Sequence, residues 1–293
     1  MRRPEERMRI HPRYRVFVDF DGTLVQPNVA ILLVERFCPD GSKVAHEVDQ
    51  LLHTGQITLR QAWERQAALL SPDRIPEMTR WAVDSIPLRA GAKEFLALLR
   101  EAKVPTAIVS GGLDFYIRAV LDREGIDLPF LSDTLDGSAA GEVHVVHTYG
   151  HPTCRLCGIC KAQVIRSKLP AADLTVFLGD GSTDRYGAEV ADIVFARHRL
   201  KTYCERSGVP FVPFEDFHEV TEKFRRWLSG AEEPPRRHPL GLASSPCPIS
   251  KDLAMSAIAE SEGGTSLTPP TSPEGSRRPA GPLVMVSEEV ENR

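Results

Sequence analysis

Two aspartates separated by one residue follow a short apolar run near the start of the chain. In residues 14–25, YRVFVDFDGTLV, Asp19 comes directly after the apolar run and Asp21 two positions later. Carboxylates this close repel each other, and the repulsion grows as water is excluded. An exposed loop would tolerate the pair without any function, whereas a bound metal ion would give the pair a chemical role.

Two further stretches place groups suited to phosphate or metal ions after apolar runs. VSGG contains Ser110 and Gly111, and GDGSTD contains Asp180 and Asp184. Ligands of an open parallel sheet bind beyond the carboxyl ends of its strands. We therefore predict that these stretches share one pocket with the first aspartate pair, and that Lys161, at the start of a predicted helix, adds a positive charge there.

This combination of groups indicates phosphoryl transfer. Carboxylate oxygens are suitable ligands for Mg²⁺, which usually keeps several waters and uses one or two protein carboxylates. A serine hydroxyl and glycine amides at a helix N-terminus suit a phosphate group. Carboxylates, Mg²⁺ and a phosphate cradle are the recurring parts of phosphoryl-transfer sites, so the predicted cofactor is Mg²⁺.

The elements that position these groups alternate between β-rich runs and helical periodicities. The predicted strands are residues 15–19, 105–109, 174–178 and 192–195, and the predicted helices are 92–101, 115–123, 161–168 and 184–191. Strands that alternate with helices indicate βαβ units. The predicted fold class is α/β, a Rossmann-like doubly wound parallel sheet with a small helical cap inserted after the first strand.

Composition divides the chain into four regions. They are a flexible leader (1–12), a core domain (13–27 and 88–229), a helical cap (28–87) and a Pro/Ser-rich tail (230–293). The clearest cap helix is ITLRQAWERQAALL, with Thr58 as its N-cap. Residues 125–148 indicate an irregular or hairpin segment. The tail contains no Phe, Tyr or Trp and is predicted to be disordered, because it buries too little apolar surface to offset its ordering entropy.

The bulk composition argues against a nucleic-acid-binding or membrane protein. A formal net charge of −4 argues against binding of the whole chain to nucleic acid or to a membrane surface, and no apolar run is long enough to cross a bilayer. The start of the chain lacks the apolar stretch of a secretory signal. We therefore expect a cytoplasmic protein with reduced cysteines. The groups suited to phosphoryl transfer predict a small phosphorylated metabolite as its ligand. At most a weak partner is expected at the tail, where GPLVMV is the candidate docking segment.

The motifs DFDGT, VSG, a lysine at a helix start and GDGSTD occur in this order over residues 14–195. Together they resemble the four motifs of the haloacid dehalogenase-like hydrolase superfamily. A cap placed after the first motif resembles the phosphoserine phosphatase subclass. The resemblance implies that Asp19 is a nucleophile that forms an aspartyl-phosphate, and that Asp21 is first the general acid and then the general base.

The same resemblance assigns the remaining site residues. It implies that Ser110, Gly111 and Lys161 hold the phosphoryl group. It implies that Mg²⁺ is bound by Asp19, Asp180 and the main-chain carbonyl of Asp21. Asp184 would support the metal site or orient Lys161.

Two longer stretches resemble particular groups of phosphatases within this superfamily. HPTCRLCGICK, just before Lys161, and DIVFARHRLKTYCERSGVPFVPFEDFHEV resemble the phosphatases of bacterial methionine salvage, which act on 2-hydroxy-3-keto-5-methylthiopentenyl-1-phosphate. This resemblance covers residues 12–225. The cysteine-rich stretch also resembles phosphoethanolamine/phosphocholine phosphatases, so these substrates and phosphoserine remain alternatives.

The cysteines and histidines of this region allow two interpretations. Cys154, Cys157 and Cys160 have the spacing of zinc ligands, with His147 or His151 as the fourth ligand that a structural zinc site needs. The alternative is local packing of reduced thiols. His144 and His147 alternate with valines, which predicts an exposed strand face.

The cap is predicted to determine which substrate binds. Trp63, Arg65 and Gln66 lie on the clearest cap helix and are candidates to face the pocket, although a solvated charged face explains Arg65 equally well. Arg197 stays outside the predicted site. The alternatives to a hydrolase are a phosphomutase, which uses the same aspartyl-phosphate, a zinc-dependent interaction module, and a scaffold with a retired active site that recruits partners through its tail.

Overall fold

The computed structural model of the chain describes residues 13–137, 143–235 and 242–262. The predicted leader, residues 1–12, lies outside these ranges. So does the part of the tail from residue 263 onward, including GPLVMV.

The described residues form one seven-stranded sheet. Its strands are β1 (Tyr14–Val18), β2 (Thr106–Leu113), β3 (Phe130–Asp136), β4 (His144–Val146), β5 (Leu174–Gly179), β6 (Ile193–Ala196) and β7 (Val212–Pro213). The strand order is β4-β3-β2-β1-β5-β6-β7, and all pairings are parallel except that of β3 with β4. The order reverses at β1, and a reversal of this kind opens the crevice in which such sheets bind ligands.

Helices cover both faces of the sheet. In the described residues they are α1 (Val29–Phe37), α2 (Gly41–His53), α3 (Leu59–Ala67), α4 (Ile75–Ser85), α5 (Ala92–Glu101), α6 (Asp114–Glu124), α7 (Lys161–Ser167), α8 (Arg185–Val190), α9 (His198–Ser207), α10 (Phe217–Ser229) and α11 (Pro248–Glu262). Helices α1 to α4 are inserted between β1 and β2. The predicted fold class, including the helical cap after the first strand, is therefore confirmed.

The central strand β1 is buried on both faces, as the apolar run VFV at residues 16–18 indicates. Val16 and Val18 pack with α5, α6 and α10 on one face, and Phe17 packs with α7 and α8 on the other. Burial on both sides fixes the end of β1, and Asp19 is the next residue.

The cap divides its apolar contacts between two clusters. Leu33 of α1 and Met78 of α4 belong to the same apolar cluster as β1, whereas Val48 of α2 and Ala62 of α3 belong to a small separate one. The predicted N-cap of α3 is confirmed: the Thr58 hydroxyl accepts the Gln61 amide N–H at 3.2 Å, and the Gln61 side chain accepts the Thr58 amide N–H at 2.9 Å. This reciprocal pair is a capping box.

The structure corrects one prediction about the phosphate-binding residues. Strand β2 continues past residue 109 to Leu113, so Ser110 and Gly111 lie within the strand and not at the N-terminus of α6, which begins at Asp114. Residues 125–148 contain β3 and β4, which pair antiparallel, in agreement with the hairpin alternative.

Among the described residues, no helix combines the length and the apolar character needed to cross a membrane.

The prediction of a disordered tail is wrong for residues 242–258. Leu242, Cys247 and Ala254 are buried in the cluster that also contains residues of α7 and α8, and the Ser245 hydroxyl donates to Glu189 at 2.7 Å. The stretch DLAMSAIAE contains strong helix formers. The proline-rich sequences on either side of it dominate the composition of the tail and obscure this local preference.

Candidate active site

The turn after β1 is held by two buried arginines. Gly22 has φ +78° within this turn. The Arg89 guanidinium donates to the carbonyls of Gly22 at 2.6 Å and Thr23 at 2.9 Å, and Arg197 donates to the same Gly22 carbonyl at 3.1 Å. Since an N–H fork fixes an acceptor in direction as well as in distance, the arginines set the orientation of the DFDGT turn.

Lys161 joins two of the predicted site aspartates. Its ammonium donates to Asp19 Oδ1 and, at 2.6 Å, to Asp184 Oδ1, and all three side chains are buried. Burial alone would lower the pKa of Lys161, but the carboxylates of Asp184 and Asp19 outweigh burial and raise it. Lys161 is therefore a permanent cation at the floor of the site.

Asp184 already uses both of its oxygens. Oδ1 accepts from Lys161, and Oδ2 accepts the main-chain N–H groups of Asp180 at 2.9 Å and Gly181 at 2.8 Å. These contacts orient Lys161 and fix the loop that follows β5. The predicted supporting role of Asp184 is the role that its geometry favours.

Three carboxylates meet where the loops after β1 and β5 approach each other. In the described part of the chain, Asp19, Asp180 and Asp184 form the one group of His, Cys, Asp or Glu with three ligand atoms within 4.8 Å of one another. Burial raises the pKa of Asp180 to about 7, and repulsion from Asp184 adds to the increase. Burial and Asp184 also raise the pKa of Asp19, while Lys161 opposes them.

This donor set fits a divalent cation. One lysine does not neutralise three clustered carboxylates, two of them buried, so the cluster retains a repulsion that a hard cation with oxygen ligands would offset. Asp180 is anchored by one oxygen, which accepts the Thr23 hydroxyl at 3.0 Å.

Asp21 lies beside this cluster and is held by both carboxylate oxygens. Oδ1 accepts the Val29 main-chain N–H at 2.9 Å, and Oδ2 accepts the hydroxyls of Tyr116 at 2.7 Å and Ser110 at 3.1 Å. Its side chain is thus engaged by protein donors, which leaves the main-chain carbonyl as the ligand that the family resemblance implies. Burial raises the pKa of Asp21, and these hydrogen bonds oppose the increase.

Ser110 does not stand free as a phosphate ligand. It is fully buried, and its hydroxyl also accepts the Gly112 N–H at 3.0 Å. Gly111, predicted beside it, does line the active-site cavity.

A cavity of about 710 Å³ separates the cap from the aspartates. Asp19, Asp21 and Asp180 form part of its lining. From the cap, its lining includes Ile31, Val48, Leu52, Leu59, Ala62, Trp63 and Gln66. This volume falls within the range of small-molecule sites.

Of the three cap residues predicted to face the pocket, Trp63 and Gln66 line the cavity and Arg65 does not. Arg65 is exposed. Residues three apart share a helix face, whereas a residue two positions away points elsewhere. The solvated-face interpretation of Arg65 is therefore the one the structure bears out.

The cysteine segment lines a second, much smaller cavity. Cys154, Cys157, Cys160 and the tail residue Cys247 surround about 10 Å³, and all six cysteines of the chain are free. Burial raises the pKa of Cys157 to about 12, which keeps its thiol protonated. In the described residues, three ligand atoms come within 4.8 Å of one another at the aspartates and not at these sulfurs, which favours the packing interpretation.

The two histidines near this segment have different surroundings. The sequence predicts His147 to be exposed, but its side chain is only 2% exposed, with Nδ1 2.9 Å from Asp133 Oδ2 and Nε2 3.4 Å from Glu64 Oε1. His147 is therefore not free as a fourth zinc ligand. His151 lines the same small cavity as the cysteines, and its Nδ1 accepts the Cys154 main-chain N–H at 3.0 Å. His144 is exposed, as predicted.

Several residues of the site carry no recognisable signal in the sequence. Tyr116 and Arg89 reach it from elements far from DFDGT in the chain and belong to no motif. Arg197 lies in one of the two stretches that resemble particular groups of phosphatases, but the sequence analysis leaves it outside the site, whereas it donates to the Gly22 carbonyl. Thr23 is the exception, because it is part of DFDGT itself.

Gly22→Ala is expected to destabilise the protein and weaken Mg²⁺ binding. A Cβ at this position would lie 2.5 Å from Asp180 Oδ2, and φ is +78°. A positive φ alone costs alanine about 1 kcal/mol. Gly125→Ala is the matched control, since φ there is +66° and nothing lies within 4 Å. Thermal unfolding and Mg²⁺ titration should show the larger loss for Gly22→Ala, and equal losses would contradict the predicted clash.

The family comparison agrees with this fold and site. A family model described as haloacid dehalogenase-like hydrolase matches residues 16–189, more than half of the chain. The chain therefore belongs to the haloacid dehalogenase-like hydrolase family.

Curated relatives are phosphatases. The 2-hydroxy-3-keto-5-methylthiopentenyl-1-phosphate phosphatase of Bacillus thuringiensis (strain Al Hakam) is 28% identical over 218 residues, which cover 73% of this chain and 97% of the relative. The phosphatase of the same name from Bacillus cereus (strain G9842) is 27% identical with the same coverage. The prediction of a phosphatase is confirmed.

Similar solved structures include phosphoserine phosphatases. A phospho-aspartyl intermediate analogue of phosphoserine phosphatase has a TM-score of 0.56 at 20% identity and covers 73% of this chain and 99% of that chain. The phosphoserine phosphatase from T. onnurineus has a TM-score of 0.53 at 15% identity and covers 73% and 95%. At these identities the likeness shows the fold alone.

Proposed function

We propose that the chain is an Mg²⁺-dependent phosphomonoesterase that hydrolyses a small phosphorylated metabolite through an aspartyl-phosphate. The observation that carries the proposal is the position of Asp19, oriented by Lys161, in the lining of a large cavity next to Asp21. Aspartate is a weak nucleophile that needs fixed orientation and neighbouring positive charge.

In the first half-reaction, an Asp19 carboxylate oxygen attacks phosphorus, and the bond between phosphorus and the substrate oxygen breaks. Asp21 gives its proton to the leaving oxygen, which departs as an alcohol or enol. Lys161 keeps the Asp19 carboxylate in place and compensates negative charge on the phosphoryl oxygens. Mg²⁺, held by Asp19, Asp180 and the Asp21 carbonyl, would supply further positive charge.

In the second half-reaction, water attacks the phosphorus of the aspartyl-phosphate. Asp21, now a carboxylate, accepts the proton of this water. The bond between phosphorus and the Asp19 oxygen breaks, which releases inorganic phosphate and restores the Asp19 carboxylate. Splitting the displacement in this way replaces one difficult step with two easier ones.

The first candidate substrate is 2-hydroxy-3-keto-5-methylthiopentenyl-1-phosphate. It is the compound named for the relatives that match along 97% of their length, and the apolar cap wall suits its methylthio chain. A second candidate class, the amino-alcohol phosphates, is favoured by Glu35, whose carboxylate-bearing side chain also lines the cavity. Phosphoserine, phosphoethanolamine and phosphocholine belong to this second class.

The test is phosphate release from a panel containing the enol phosphate, phosphoserine, phosphoethanolamine, phosphocholine and p-nitrophenyl phosphate. We expect turnover that needs Mg²⁺, stops with a chelator and is fastest with the enol phosphate. A preference for the amino-alcohol phosphates would favour the second class. No turnover of any compound by folded, Mg²⁺-loaded protein would favour the scaffold alternative.

Two cap variants test whether the residues that line the cavity determine the substrate preference. Trp63→Ala should raise KM for the preferred compound and flatten the ranking of the panel, because Trp63 lines the cavity. Arg65→Ala, on the same helix but exposed, should leave the ranking unchanged. Equal effects of both would mean that the helix affects turnover through its stability.

A further inference from the structure

The donors around Asp21 are not equivalent. Val29 offers a main-chain N–H to Oδ1, while Tyr116 and Ser110 offer hydroxyls to Oδ2. An N–H group can only donate, but a hydroxyl can donate or accept. A proton on Oδ1 would face the Val29 N–H, whereas a proton on Oδ2 would meet hydroxyls able to reverse their roles. Oδ2 is therefore the oxygen that exchanges the proton.

Resting on the phosphatase activity, we propose that Tyr116 is a positioning residue that holds Asp21 Oδ2 in place for proton transfer to the leaving group. Ser110 is the group that the family resemblance assigns to the phosphoryl, and Val29 donates to Oδ1 instead of Oδ2. Of the two donors to Oδ2, Tyr116 is therefore the one that the substrate would not draw away.

The surroundings of Tyr116 hold its hydroxyl against Asp21 Oδ2. Its side chain is fully buried, and its ring packs against Phe115 and Phe20 with centroids 5.5 Å and 6.1 Å apart. Gly112 leaves room for it, since a Cβ there would lie 1.7 Å from the Tyr116 oxygen and 2.4 Å from Asp21 Oδ2. Burial and the neighbouring Asp21 raise the pKa of Tyr116 well above its usual value, so the phenol keeps its proton.

The test compares two aryl phosphates of similar shape in Tyr116→Phe and the wild type. Phenyl phosphate has a poor leaving group that needs the proton of Asp21, and p-nitrophenyl phosphate has a good one that needs it less. Because kcat/KM reports the steps through the first phosphoryl transfer, we expect a loss of about tenfold or more for phenyl phosphate, against less than about threefold for p-nitrophenyl phosphate.

The control is Tyr203→Phe. It also removes a hydrogen bond from a phenol to a carboxylate, that of Glu189, but outside the active-site cavity. It should leave the ratio of the two kcat/KM values unchanged.

The proposal is overturned if Tyr116→Phe lowers both kcat/KM values equally or changes neither, because a structural role alone would give this result. No turnover of either ester by the wild type would instead overturn the phosphatase proposal and this inference with it.

Discussion

Asparagine at position 19 removes phosphate release from every substrate and leaves the protein folded. Asp19 is the proposed attacking group, and an amide oxygen cannot form the acyl phosphate on which the second half-reaction depends. Loss of a nucleophile costs several orders of magnitude in kcat, so we expect a decrease of about 10³-fold or more. The measurement is phosphate release with Mg²⁺ and the best compound of the panel.

Thermal unfolding of Asp19→Asn separates this loss from misfolding. The substitution removes one of three carboxylates that lie within 4.8 Å of one another, and Lys161 keeps Asp184 as its partner at 2.6 Å. We therefore expect a melting temperature equal to or above that of the wild type. Residual turnover above one tenth of the wild-type rate would contradict the nucleophile assignment.

Methionine at position 161 is expected to have the largest effect on stability. Lys161 is buried between Asp19 and Asp184, and methionine retains most of its unbranched length without its charge. Removing one partner of a buried ion pair leaves an unpaired charge, which costs about 3–5 kcal/mol. Denaturant unfolding should show this decrease, and phosphate release should be lost, because Asp19 and the phosphoryl oxygens lose their cation.

A second variant identifies the cause of that destabilisation. In Lys161→Met combined with Asp19→Asn, one of the two unpaired carboxylates is gone, so part of the lost free energy of unfolding should return. Asp19→Asn should stabilise Lys161→Met by more than it stabilises the wild type. An equal effect in both backgrounds would contradict the ion-pair explanation, because contacting residues of one network are expected to couple. Addition of Mg²⁺ to Lys161→Met should also restore part of the stability.

The sequence predicts those site residues whose positions follow from the order of strands and helices along the chain. Asp19, Asp21, Asp180 and Asp184 follow apolar strands, and parallel strands bring their carboxyl ends to one edge of the sheet. Lys161 begins its helix as predicted. These positions follow from the alternation of strands and helices, which a single chain displays without any knowledge of its packing.

Contacts between residues far apart in the chain cannot be predicted from this alternation. Tyr116 reaches Asp21 only because β2 runs beside β1 and α6 begins after a strand extended to Leu113. His147 alternates with valine like an exposed residue, yet the cap residue Glu64 and the core residue Asp133 enclose it. Sequence periodicity assigns a residue to a face, but it does not show what packs on that face.

The division of the cap between two apolar clusters has a consequence for movement. Helices α1 and α4 share the cluster of β1, so they cannot leave the sheet without exposing the core. Helix α2 and the first turn of α3 pack in their own small cluster, so opening of the cavity falls to these two segments. The ion pair between Asp49 of α2 and Arg199 of α9, 3.1 Å long, then stabilises the closed position of α2. Because exposed ion pairs contribute little free energy, this pair can break at each turnover, and higher ionic strength would favour the open state.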